Sequence, residues 1–275
     1  MHSQDLRQKN NATPSTRSVQ LVLVRANGPL FYSVTAASLL EEGTSLAADR
    51  LLHFFGADRV FTQWAKTEWL PRKLARARQI RDYVQSIWPE YDWHAAHEQF
   101  RAWNEELGTG SRRPTAAHEA LARCVASAQS GVFYRSLACW AEDRRLRELA
   151  AAIAAEEASS FAHFRNLYDR QFRAQRFGWI AAWSTALECV RSARDTHVPR
   201  AFMAVSAQCA AHVPFPTLEY PEFVARMTSV IERHGDLAAP ERVLLRTWKR
   251  RARRAVLQPQ RRAVSGFNPM LRSAA

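Results

Sequence analysis

Apolar positions recur along most of this chain at intervals of three and four, the spacing that lays one face of a helix on a core. The clearest stretch runs from Arg147 to Arg165. It is rich in Ala, holds no Pro or Gly, and places Leu149, Ile153, Ser160 and Phe164 at helical spacing. Earlier, Leu30 to Phe55 reads as one long helical pattern, opened by Pro29 and closed by Gly56. A second pattern begins near Asp58 and carries Phe61, Trp64 and Glu68. Pro71 then predicts a kink or break, because proline lacks an N–H and its ring crowds the carbonyl four residues back. The pattern resumes from Arg72 to about Trp88, turns through Pro89 to Trp93, and continues from His94 to Leu107. Beyond a loop at Gly108 to Pro114, Thr115 to about Trp140 is the next helix. After a polar break at Glu142 to Arg145, the Ala-rich stretch extends to about Phe177. Ile180 to Arg194, Phe223 to His234 (capped by Gly235) and a last segment from Pro240 complete the series. Val213 to Pro221, with three prolines, is an extended connection, and Val19 to Val24 fits either a strand or a helix entry. The fold class is therefore all-α, with four long helices in a central bundle.

Two acid pairs interrupt the apolar faces: Glu41-Glu42 after Leu39-Leu40, and Glu156-Glu157 in the middle of the Ala-rich helix. Adjacent residues on a helix cannot share a face. At least one acid of the second pair is expected to point inward, where an unpaired carboxylate is costly unless it meets a metal, a base or a proton.

Composition narrows the class. With 275 residues, 47% hydrophobic and only 9 Gly, the chain can build a sizeable helical core. Its regions are a polar, disordered tail at 1–18, a helical domain at 19–250 and a basic tail at 251–275. Cys124, Cys139, Cys189 and Cys209 form no C-x-x-C pair and read as buried thiols in a reducing compartment. No apolar run approaches the roughly 20 residues of a membrane span, and the first residues hold no apolar signal core, so the expected location is cytoplasmic. The formal charge of +13 favours an acidic partner. From Pro240 onward ten Lys and Arg, including Lys249, Arg250 and Arg251, face Glu241 alone, which makes this end the candidate partner-binding surface. Nucleic acid fits less well, since the tail has little aromatic interleaving and no recognised motif.

Mid-helix acids on four long helices are the pattern of a di-metal carboxylate bundle, which takes a Glu from two helices and a Glu-x-x-His from the other two. In detail the chain resembles the acyl-acyl-carrier-protein desaturases, a soluble ferritin-like di-iron family, over roughly Pro29 to Lys249. Leu39-Leu40-Glu41-Glu42 is similar to the first ligand helix, and Trp64-Ala65-Lys66-Thr67-Glu68 to the approach to the second. Ile153-Ala154-Ala155-Glu156-Glu157 resembles the family's I-A-A-D-E run, while Arg233-His234-Gly235 and Trp248-Lys249 resemble its last helices. The resemblance implies a ferritin-like four-helix bundle with additional helices, an iron cofactor, and acyl carrier protein as partner, with a homodimer as the assembly to test.

Carried over residue by residue, the resemblance puts the retained metal ligands at Glu42, Glu68 and Glu157. The remaining positions fall on Pro71, Ser127 and Ser160, which replace two imidazoles and one carboxylate. Three of six ligands remain, enough for no metal or one weakly held ion. His163 shares a face with Glu156 and is expected to be hydrogen-bonded or partly exposed. His94, His97 and His118 lie in or beside connecting segments, away from the bundle centre. The expectation is a desaturase-like protein with an eroded di-iron site that binds an acyl chain or its carrier with weak or no catalysis. The alternatives are an active iron-dependent desaturase or oxygenase with an atypical site, and a basic partner- or nucleic-acid-binding helical protein. The first expectation predicts that Glu42, Glu68 and Glu157 converge inside the bundle.

Overall fold

The computed structural model describes residues 16–106, 115–174, 179–209 and 213–234. Among these residues every regular element is a helix. The ambiguous Val19 to Val24 run belongs to α1 (Thr16–Arg25). Helix α2 (Gly28–Glu42) starts where the Asn27 side chain accepts a hydrogen bond from the Leu30 N–H at 3.0 Å, with Pro29 in its first turn. The long pattern expected to reach Phe55 divides at Gly43, where ψ is 0°, and α3 (Thr44–Phe55) follows.

Asp58 caps α4 (Arg59–Trp64) by accepting from the Phe61 N–H at 3.0 Å. The chain does not break at Pro71. A π-helical turn (Ala65–Trp69) leads directly into α5 (Leu70–Ile87), and the proline sits in the first turn of α5. Proline offers no N–H to the carbonyl one turn back, and the wider π turn absorbs both that loss and the ring. The same device recurs. Helix α9 (Trp179–Ser192) passes through a π turn (Ala193–His197) into α10 (Val198–Ala207), with Pro199 in the same place. Between them lie α6 (Trp93–Glu106), α7 (Ala116–Trp140) and the 31-residue α8 (Arg144–Ala174). A connection whose described residues hold no strand precedes α11 (Tyr220–His234). The Gly108 to Pro114 loop, Gly235 and the segment from Pro240 lie outside the described residues.

Helices α7 and α8 form a hairpin packed along its length, with Asp143 accepting from the Leu146 N–H at 3.2 Å to start α8. Helix α2 packs on α5, α5 touches α8, and all four contribute to one apolar layer that includes Val34, Ile80, Leu137 and Ile153. Helix α10 covers α2 and α6, α11 covers α7 and α2, and α9 lies on α7.

Besides a small group between α7 and α9 around Val125 and Val190, the buried apolar side chains form two main clusters. One holds Ala37, Ile80, Tyr134, Ile153 and Ala154. The other holds Leu51, Trp69, Cys124, Phe164 and Leu167. The first cluster ends at Ile80 on α5 and the second at Trp69 on the π turn before it; along α8 the break lies between Ala154 and Phe164. A buried polar layer fills that gap. Three cysteines are buried as expected, but Cys139 is exposed. No described helix is long and apolar enough to cross a membrane.

Candidate functional site

The polar layer is built from one charged residue of α2, two of α5 and one of α8. On α5 the inward stripe runs Trp69, Lys73, Arg76, Ile80, Val84 and Ile87, a helical repeat whose second and third members are cations. On α8, Glu157 lies one turn beyond Ile153 and is fully buried. On α2, Glu41 lies one turn beyond Ala37 and is 7% exposed.

Arg76, 2% exposed, joins the two acids. Its Nε donates to Glu41 Oε2 at 2.8 Å, and its Nη2 donates to Glu41 Oε2 at 2.7 Å and to Oε1 at 2.9 Å. The same Nη2 also donates to Glu157 Oε1. Lys73 Nζ donates to Glu157 Oε1 at 2.6 Å and stands 3.8 Å from Glu41 Oε2. From α7, the Tyr134 hydroxyl donates to Glu41 Oε1 at 3.1 Å. Two carboxylates and two cations thus close their charge within the bundle. Glu157 Oε2 is buried and has no hydrogen-bond partner among the described residues.

The electrostatics follow from this geometry. Burial alone would raise the Glu157 carboxyl. The charges of Lys73 and Arg76, and their hydrogen bonds, more than reverse this and hold it at about 2. For Arg76, burial opposes the charged form, but Glu41 and Glu157 outweigh it and push the guanidinium up. Burial, then the neighbouring Glu41 charge, keeps the Tyr134 phenol far above its ordinary range, so it remains a donor.

Only part of the expected site is here. Glu157 points inward as anticipated, and Ser127 and Ser160 are buried. The α2 acid that turns inward is Glu41, not Glu42. Glu42 is 22% exposed and faces Arg81 at 3.6 Å. Nearly every residue of α2 from Leu30 to Leu39 is buried, so the apolar pattern carries no phase that distinguishes neighbours. Glu68 sits on the π turn, 49% exposed, and pairs with Arg72 at 3.1 Å. Glu42, Glu68 and Glu157 therefore do not converge, and the inward positions of α5 belong to Lys73 and Arg76, two turns of sequence further on. Pro71 occupies the start of α5 as described above. The pair at spacing i, i+3 is a Lys-x-x-Arg. Its signal was present in the sequence, as two bases on the stripe of Trp69, Ile80 and Ile87, but neighbouring Arg72, Arg78 and Arg81 obscured it.

The histidines stand apart from the centre. His163 is exposed, its Nδ1 3.0 Å from the Ser159 carbonyl and its ring stacked on Trp64 at 4.3 Å. His97 stacks on Trp93, His94 Nε2 lies 3.3 Å from Gln85 Nε2, and His118 Nδ1 lies 2.8 Å from Thr115 Oγ1. Lys249, Arg250 and Arg251 lie outside the described residues.

A metal ion does not fit the centre as it is arranged. Three of the four carboxylate oxygens already accept hydrogen bonds from Arg76, Lys73 or Tyr134. The positions a ligand nitrogen or oxygen would need on α5 carry an ammonium and a guanidinium, which have no lone pair to give. Among the described residues no group of three or more His, Cys, Asp and Glu side chains is placed to hold a metal ion. The apolar space beside the centre, lined by Val34, Tyr134, Leu146 and Ile153 among others, admits no water-sized sphere.

Comparison with protein-family models, with curated proteins and with solved structures finds no match. The fold and the site define an all-α protein whose core is divided by a charge-balanced layer.

Proposed function

We propose that this chain is a metal-independent bundle on the acyl-carrier-protein desaturase plan, and that it acts by binding an acidic partner rather than by oxygen chemistry. The observation that carries this is the Lys73-x-x-Arg76 pair between Glu41 and Glu157. A di-metal bundle neutralises its carboxylates with metal charge and draws a Glu-x-x-His from such a helix. Here fixed cations of the chain take over that neutralisation. Burying charges costs several kcal/mol per ion, and pairing them offsets that cost without any metal. The close packing beside the centre supports binding at the surface over an acyl chain held inside. The basic segment around Lys249, Arg250 and Arg251 carries positive charge suited to an acidic protein such as acyl carrier protein.

The test has two arms. Protein purified from iron-supplemented cells is analysed for metal, and far less than one iron per chain is expected. Acyl carrier protein is then titrated at low salt, with binding expected to weaken as salt rises and in the Arg250→Glu/Arg251→Glu variant. About two irons per chain with oxygen-dependent turnover, the stoichiometry of a di-metal bundle, would overturn the metal-independent reading. Absence of carrier binding at low salt would overturn the partner.

A further inference from the structure

A second feature lies on the outer side of the ion centre. A small cleft, open to solvent, runs between the π turn, the start of α5 and the middle of α8. Trp64 and Trp69 form one wall, Arg72 and Lys73 the second, and Ser159 and Ser160 the third, with Glu156 at the edge.

The Trp69 residue is 5% exposed, and its Nε1–H is buried with no hydrogen-bond partner among the described residues. An indole N–H can only donate, so its partner must be an acceptor, and leaving it unmet costs about 1–3 kcal/mol. Lys73 has three donors. One reaches Glu157 Oε1 at 2.6 Å, and the Glu41 oxygen at 3.8 Å is too far for a second hydrogen bond. Arg72 is half exposed and held by one 3.1 Å contact to Glu68, so its guanidinium can swing. Two serine hydroxyls add further donors. The one acid on the rim, Glu156, is pushed up by burial, against the lowering charges of Arg76, Arg72 and Lys73. The walls thus offer hydrogen-bond donors, and the wall of Arg72 and Lys73 carries positive charge. As it stands the cleft admits about one water-sized group, and Arg72 is its movable side.

We propose that this cleft binds a compact oxyanion, the carboxylate or phosphate head of a small molecule, with Trp69, Arg72 and Lys73 as its anchors. The partner-binding role above does not enter the readout. Full-length protein, treated with chelator and held at low ionic strength, is titrated separately with inorganic phosphate and with acetate. Calorimetry is read alongside the indole N–H resonance of Trp69. Saturable binding at a roughly millimolar Kd is expected for at least one anion, with that resonance shifting. Trp69→Phe, Arg72→Gln and Ser160→Ala should each weaken it about fivefold, the loss of one hydrogen bond, while Arg226→Gln on α11 changes nothing. Tighter phosphate binding identifies a phosphate ester as the ligand class; tighter acetate binding identifies a carboxylate. Arg72 is exposed, so its variant reports even if Trp69→Phe disturbs folding. No saturable binding of either anion, or equal affinity in Arg72→Gln and Ser160→Ala, overturns the proposal and leaves Trp69 to a single water.

Discussion

Arg76→Met tests the ion centre directly. The substitution keeps a long, unbranched side chain and removes the charge, so it opens little volume. It leaves Glu41 and Glu157, 7% and 0% exposed, to share Lys73 alone, and Lys73 reaches only Glu157 within hydrogen-bond distance. Glu41 keeps the Tyr134 hydroxyl at 3.1 Å as its sole close donor. Removing one partner of a buried ion pair typically costs about 3–5 kcal/mol, because the other charge stays buried and unmatched. For a chain of this size that corresponds to a fall in Tm of roughly 10 °C. Replacing the whole centre is expected to behave differently. Glu41→Leu/Lys73→Met/Arg76→Met/Glu157→Leu removes every buried charge, and such replacements are often neutral or stabilising. Urea unfolding followed by circular dichroism at pH 7, for the parent, the single and the quadruple variant, supplies the comparison. The reasoning is refuted if Arg76→Met lies within about 1 kcal/mol of the parent, well under the cost of an unmatched buried charge. The carboxylates would then be protonated or hydrated in the folded state, not ion-paired.

Three further outcomes follow from the same geometry. Glu157 has a folded pKa held down at about 2, against an ordinary 4.5. Its contribution is therefore fully present above pH 4.5 and is lost as pH falls toward 2; the shift corresponds to roughly 3 kcal/mol, and Glu157→Gln should abolish that part of the acid transition. Glu42→Gln and Glu68→Gln, at partly and half exposed positions, should each change stability by under about 0.5 kcal/mol, whereas Glu41→Gln should cost about 3 kcal/mol or more in the same urea assay; equal effects at 41 and 42 would reverse the assignment of the inward acid. Phe164→Ala, at a residue 1% exposed whose ring meets Phe61, Trp64 and Trp69, should cost about 3–5 kcal/mol, and a loss under about 1 kcal/mol, as for a surface site, would place it outside the second apolar cluster.

Periodicity alone determined the helical class and most of the helix positions, because burial on one face leaves a three-and-four repeat that needs no knowledge of the partner helix. It also located Asp58 and Pro29 as starts, since capping and proline effects are local. The inward turn of one acid in Glu156-Glu157 was legible for the same reason: α8 has a clear apolar stripe, and Glu157 falls on it with Ile153 and Phe164. Helix α2 offered no such stripe. It is buried all round, so sequence could not rank Glu41 over Glu42, and only the packing of α5 against it, with Arg76 and the Tyr134 hydroxyl meeting Glu41, decided. The π turn was equally hidden. One widened turn before Pro71 kept the helix running and turned Glu68 to solvent, while Lys73 and Arg76 came to face the two acids. Those cations read as solvated surface in a chain of net charge +13. The partners of Arg76 lie 35 and 81 positions away, at Glu41 and Glu157, and Glu157 is 84 positions from Lys73. Charge pairing at that separation is a property of the assembled bundle and leaves no mark on the local pattern.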